Sequence, residues 1–127
     1  MKKLLILLFS ILISFNSYGE WTYVSSNVSG DDFYVVLDKI KNQDGSTYFW
    51  YLTNYYKKDK FGNLSDITFT EGNCIMSGYR WLTVHYYSAL MAKGKLTSTD
   101  NDISKWRYPP PNSVLAVVLE SVCDYAN

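Results

Sequence analysis

The 127-residue sequence is poor in what most enzyme and metal centres require. It has one histidine, His85, and two cysteines, Cys74 and Cys123. No Cys-x-x-Cys pair and no second histidine stands at a spacing that would complete a zinc or catalytic site, so His85 reads as a packed or half-exposed sheet residue. Asp31-Asp32 and Asp100-Asn101-Asp102 lack the ligand series and closing glutamate of a calcium hand and read as solvated turns. Gly30, Gly45, Gly62 and Gly94 stand apart from one another, in no phosphate-cradling pattern. Proline is confined to Pro109, Pro110 and Pro111. Charge of one sign is also missing: Lys plus Arg number 12, and Asp plus Glu number 12. A balanced chain has no global attraction to nucleic acid or anionic lipid. These absences predict a protein that is not an enzyme, holds no cofactor or metal, and does not bind nucleic acid.

Long apolar runs are absent except at the start. Lys2 and Lys3 precede an apolar run over residues 4–15, and Ser17 and Gly19 supply the small residues of a cleavage site. Residues 1–19 therefore read as a signal peptide. The run is short for a bilayer span, and no membrane span is expected after cleavage. No cysteine stands near the cleavage site, so lipoprotein processing is not expected. The domain is then residues 20–127, exported to the periplasm, or secreted or held at the cell surface. Losing Lys2 and Lys3 leaves ten basic residues against twelve acidic ones, a net charge of about −2. In an exported domain of this size an even cysteine count reads as a disulfide between Cys74 and Cys123. A redox or metal pair is the alternative, and the spacing speaks against it.

What the sequence does have is tyrosine, 12 of them, with 4 tryptophans and 6 phenylalanines. Such residues favour strands and binding surfaces, because the ring packs while the hydroxyl stays wet. Strands are expected over residues 21–26 (WTYVSS), 33–40 (FYVVLDKI), 47–56 (TYFWYLTNYY), 67–71 (ITFTE) and 80–88 (RWLTVHYYS), with a short one beginning at Leu96-Thr97. Turns are expected at 27–32, at 41–46 around the Asp44-Gly45 hairpin signal, and in the charged segment 57–63; residues 99–102 read as a polar loop. In the longest strand, Tyr48, Trp50, Leu52 and Asn54 share one face, and Phe49, Tyr51, Thr53 and Tyr55 the other. Aromatic residues on both faces mark it as central.

The last segment is a helix. The prolines at 109–111 cannot lie inside one, and Asn112 or Ser113 can cap its start. Val114, Leu115, Val117, Val118, Leu119 and Val122 then recur at helical spacing on one wide apolar face. The fold class is α+β: an antiparallel sheet of five to six strands, with one C-terminal helix packed on it and tied by the disulfide.

The order of Tyr34 to Asp38, Trp50-Tyr-Leu-Thr-Asn-Tyr55, Cys74, Arg80 with Tyr86-Tyr87, Met91-Ala-Lys-Gly94-Lys95, Trp106 with the prolines, and Cys123 resembles the surface-adhesin protein E family of Gram-negative bacteria. That resemblance implies a six-stranded sheet with a disulfide-held helix. It also implies binding of host extracellular-matrix or serum proteins such as vitronectin, laminin or plasminogen. The alternative is a periplasmic interaction or inhibitor module without a host ligand. A homodimer through an uncovered sheet edge is a further expectation. The candidate binding face is Tyr51, Tyr55, Tyr56, Lys57, Lys58, Tyr87, Lys93 and Lys95, because tyrosines flanked by cations are common interface anchors. Packing of the tyrosines and solvation of the lysine tips are the plainer reading.

Overall fold

Residues 46–54 alternate large side chains to both faces, and they form the strand about which the sheet is built. In the computed structural model, which describes residues 20–127, strand β1 is Thr22–Ser26, β2 is Asp32–Val35, β3 is Lys41–Gln43, β4 is Ser46–Asn54, β5 is Ser65–Asn73, β6 is Gly78–Tyr87 and β7 is Leu96–Asp100; helix α1 is Val114–Ala126. All pairings are antiparallel. The order across the sheet is β1-β2-β4-β5-β6-β7, with β3 also paired to β4. The expected α+β architecture of sheet, terminal helix and disulfide is thus present. The expected signal peptide lies outside the described residues.

Three local expectations are corrected. The single strand expected over residues 33–40 is broken into β2, a 3-10 turn at Leu37–Lys39, and β3. Phe33 and Val35 face the helix, so a straight strand would carry Lys39 to that face as well. The turn instead lets Leu37 and Ile40 both pack on the core while Lys39 stays exposed. The turn expected over 41–46 shrinks to Asp44 and Gly45, at φ 53° and 83°. Two left-handed residues suit the twist of a two-residue hairpin, and they free residues 41–43 to pair with Ser46, Thr47 and Tyr48. Residues 99 and 100, expected in a loop, complete β7 against His85 and Val84.

The helix begins at Ser113, whose Oγ accepts the Ala116 N–H at 3.4 Å. It buries Val118, Leu119 and Val122 against Phe33, Val35, Phe49 and Tyr51. It lies over the face on which β5 offers only Thr68, Thr70 and Gly72, which leaves room for the second layer. Cys74 and Cys123 are bonded, with Cα atoms 5.8 Å apart. Closing a loop of 49 positions disfavours the unfolded chain by roughly 4 kcal/mol in the chain-entropy picture. On the opposite face, a 3-10 turn at Leu90–Ala92 folds back over β4 and β5. Asn54 accepts the Met91 N–H at 2.8 Å, and Ser65 Oγ donates to the Ala89 carbonyl at 2.6 Å. Leu52 and Ile67 are fully buried on that side.

Candidate functional site

Three loops meet at the end of the sheet away from the disulfide: 27–31 between β1 and β2, 55–64 between β4 and β5, and 88–95 between β6 and β7. Short polar residues brace these loops, and the second is tied to the first and to the strands that flank the third. Asp31 ties the first to the second: its N–H donates to Asn27 Oδ1, its Oδ2 accepts from Asn27 Nδ2, and its Oδ1 accepts the Tyr56 N–H at 2.9 Å. Gly30, at φ 90°, lets the Tyr56 ring lie on the turn; a Cβ there would sit 3.3 Å from Tyr56 Cγ. Asp59 folds the second loop by accepting the N–H groups of Phe61 and Asn63 and the Asn63 side-chain amide. Burial works to raise the Asp59 carboxyl, but these donors hold it below its usual range. The second loop meets the third region where Thr97 Oγ1 donates to Asn63 Oδ1 at 2.5 Å and the Leu64 N–H donates to the Tyr87 carbonyl at 2.9 Å.

Lys57, Lys58, Lys93 and Lys95 are all exposed on this end, as is Lys60. Tyr56 is 70% exposed and Phe61 75%, with Lys60 Nζ 5.1 Å above the Phe61 ring. The fold therefore brings together two lysine groups that are far apart in sequence. It separates the tyrosines. Tyr51 is 4% exposed and belongs to the core under the helix, so its place in the candidate face is corrected: it packs on Phe33 and Phe49. Burial pushes its hydroxyl well above the usual tyrosine range. Tyr55 is half-buried and donates its hydroxyl to Asp66 Oδ2. Tyr87 is half-buried in β6 beside Ser65, on the face opposite Tyr51. Of the residues expected in the binding face, Tyr56 and the four lysines are the ones that stand open at the loop end.

The sheet face away from the helix carries a second aromatic group that composition alone did not single out. Trp50 packs on Phe69 with centroids 4.9 Å apart and stacks on His85 at 5.9 Å, while Tyr48 stacks on Phe69 at 6.0 Å. His85 Nδ1 lies 2.8 Å from Thr99 Oγ1. The β4 alternation places Tyr48 and Trp50 on one face, but nothing in one strand says which face the helix takes. A shallow depression of about 460 Å³ lies beside Tyr48, Trp50 and Phe69, with Asp38, Lys39 and Lys41 on its rim. The two arginines are committed elsewhere. Arg80 is bonded to Glu71 at 2.8 Å and lies over the Trp106 ring; Arg107 lies 4.4 Å from the Trp81 ring centroid. Burial works to raise the Glu71 carboxyl, but Ser46, Arg80 and Tyr48 keep it below its usual range. Among the described residues, no three His, Cys, Asp or Glu side chains are grouped to hold a metal ion. No helix among them is long and apolar enough to cross a membrane.

The sequence matches the surface-adhesin protein E family over residues 21–124. No curated protein matches it. Its fold is similar to that of solved structures of Haemophilus influenzae protein E. Crystal form II is 13% identical at a TM-score of 0.62, with 84% of this chain and 90% of that one covered. Another structure of that protein is 14% identical at a TM-score of 0.61, with 82% and 83% covered. At such identities the likeness is one of fold.

Proposed function

Because the chain belongs to the surface-adhesin protein E family, we propose that it is an exported, non-enzymatic adhesin domain that holds a host extracellular-matrix or serum protein through the loop end of its sheet. The supporting observation is the meeting of five exposed lysines with Tyr56 and Phe61 on two neighbouring loops, of which 55–64 is hydrogen-bonded to Asp31 on one side and to Tyr87 and Thr97 on the other. Lysines supply steering and charge matching, exposed rings supply desolvated contact, and tied loops lose little freedom on binding. The partner surface that fits is acidic, with an apolar recess for an aromatic ring.

The test is surface plasmon resonance of residues 20–127 over immobilised matrix and serum glycoproteins, alongside a Lys57→Glu/Lys58→Glu/Lys93→Glu/Lys95→Glu variant and Tyr56→Ala. The expected outcome is saturable binding that the charge variant weakens at least about tenfold and that weakens with salt. Tyr56→Ala is expected to lose roughly tenfold, the scale of one well-packed anchor. Full-strength binding by the charge variant would exclude this end as the contact. Absence of any host ligand, with recovery of the protein only from the periplasm, would favour an envelope-internal interaction module.

A further inference from the structure

We propose that the sheet face away from the helix is a glycan-binding site, in which a pyranose ring lies on Tyr48, Trp50 and Phe69. Leu52 and Ile67, an aliphatic cross-strand pair on that face, are fully buried. The next pair along the same two strands, Trp50 opposite Phe69, is left half-exposed, as is Tyr48. Together these three residues line the depression of about 460 Å³. The Trp50 and Phe69 planes differ by 36°, and those of Tyr48 and Phe69 by 22°. Rings set at such low angles form a platform, whereas a cage for a quaternary ammonium group needs rings on several sides. The centroids are 4.9 and 6.0 Å apart. Full face-to-face contact would bring them to about 3.5–4.0 Å, so each ring keeps part of its surface for a ligand. His85 stacks on Trp50 at 15°, and its Nδ1 lies 2.8 Å from Thr99 Oγ1. Trp50 is thereby braced by Phe69 and His85 before any ligand arrives, and little ordering is left to binding.

The rim identifies the class of ligand. The 3-10 turn at Leu37–Lys39 brings Asp38 and Lys39 to the depression, and β3 sets Lys41 opposite Tyr48. All three are exposed. A carboxylate only accepts hydrogen bonds and an ammonium only donates them, while a hydroxyl does both. A sugar carries C–H groups on the faces of its ring and hydroxyls around its edge. It therefore matches an aromatic floor with a rim of both signs. An acyl chain would cover that rim without pairing it. A nucleic-acid strand needs a continuous positive groove, which two lysines beside an aspartate do not make. None of these six lining residues belongs to the loop end assigned to a host protein, so the site goes beyond that reading and either can fail alone.

An array of immobilised neutral, N-acetylated and acidic hexopyranosides, drawn from mammalian and bacterial glycans, tests the proposal with residues 20–127. The expected result is binding to a restricted set of sugars that persists at about 0.5 M salt, where exposed charges are screened. Bound mammalian sugars would identify host glycans as the source, and bound bacterial ones the envelope; either satisfies the chemistry. In saturation-transfer NMR with the free methyl glycoside of a bound sugar, the C–H groups of one ring face should receive most of the transfer. Trp50→Ala should weaken binding about tenfold or more, while Trp50→Phe, which keeps a ring, should retain it. Asp38→Ala/Lys41→Ala should weaken it about tenfold. Thermal melts verify folding; should Trp50→Ala melt early, the exposed pair Asp38 and Lys41 decides. Lys57→Glu/Lys58→Glu should bind the same sugars as wild type. An array without a bound sugar, transfer spread evenly over the glycoside, or binding indifferent to Asp38→Ala/Lys41→Ala overturns the proposal. So does loss of sugar binding in Lys57→Glu/Lys58→Glu, which would place the sugar at the loop end. Trp50-dependent binding of a deglycosylated protein, with no sugar bound, would assign the face to a polypeptide instead.

Discussion

Asp66 shows how one carboxyl can set the behaviour of its surroundings. It is half-buried on β5, with Tyr86 opposite it on β6 and Tyr55 beyond the end of β4. Burial pushes its carboxyl up to about 6; hydrogen bonds from Tyr55 and Thr68 pull the other way, and the charges of Asp59 and Asp31 add to the rise. The Tyr55 hydroxyl is in turn driven above its usual range, first by burial and then by the Asp66 charge. In the unfolded chain Asp66 ionises near the ordinary aspartate value, about two units lower. Between these values the folded protein holds the extra proton, so stability attributable to this group falls as pH rises from about 4 to about 6. The difference amounts to roughly 2–3 kcal/mol. Melting temperatures of wild type and Asp66→Asn across pH 4 to 7 check this. The wild type should lose more stability over that interval than the variant; parallel curves would contradict the account. The same Tyr55–Asp66 bond helps anchor the base of the lysine loop, so the variant also reports whether that base positions Tyr56 for binding.

Among the elements, the helix and its seat show what a single sequence can specify. The helix was legible because the prolines at 109–111, the Ser113 cap and the spacing of Val118, Leu119 and Val122 agree at three independent levels. The Asp44-Gly45 hairpin was legible for a similar reason, since the backbone there needs positive φ twice. The break at Val36 was not, because Val35, Val36 and Leu37 read locally as uninterrupted strand; it follows from the helix lying above, where Lys39 cannot go. Likewise Tyr51 and Trp50 look alike in sequence, and only the docking of α1 decides which one is buried. One cue was present in β5, where Thr68, Thr70 and Gly72 leave space on one face. A Cβ on Gly72 would lie 2.9 Å from Leu119 Cδ1 and 3.3 Å from Phe49 Cε1. Gly→Ala in a strand normally gains about 0.5–1 kcal/mol, whereas overpacking costs about 1–3 kcal/mol. Gly72→Ala is therefore expected to lose about 1 kcal/mol, seen as an earlier urea midpoint at unchanged slope. A later midpoint would mean that α1 shifts freely on the sheet, despite the bridge at Cys123.

For the whole molecule, the arrangement of charge matters more than its sum. Residues 20–127 carry about −2 by count, yet five lysines gather at one end of the sheet, while Glu120 and Asp124 lie beside the Cys74–Cys123 bridge at the other. Both arginines are held over tryptophan rings, so accessible positive charge at the loop end is carried by lysine. The ends are roughly 30 Å apart along the strands, about three to four Debye lengths at physiological salt. At that distance an approaching surface meets one end and scarcely senses the other. At the loop end, Asp31 and Asp59 are turned inward to backbone and side-chain donors, which leaves the lysines the outermost groups. A domain of net negative charge should thus still be retained by a sulfonate cation exchanger at pH 7.5 and low ionic strength, through that end alone. Lys57→Glu/Lys58→Glu should pass through unretained, while exchanging two lysines elsewhere, Lys41 and Lys105, for glutamate should change elution only slightly. Equal effects from the two pairs would mean that charge acts as a diffuse total, and the loop end would lose its claim to be a distinct contact surface.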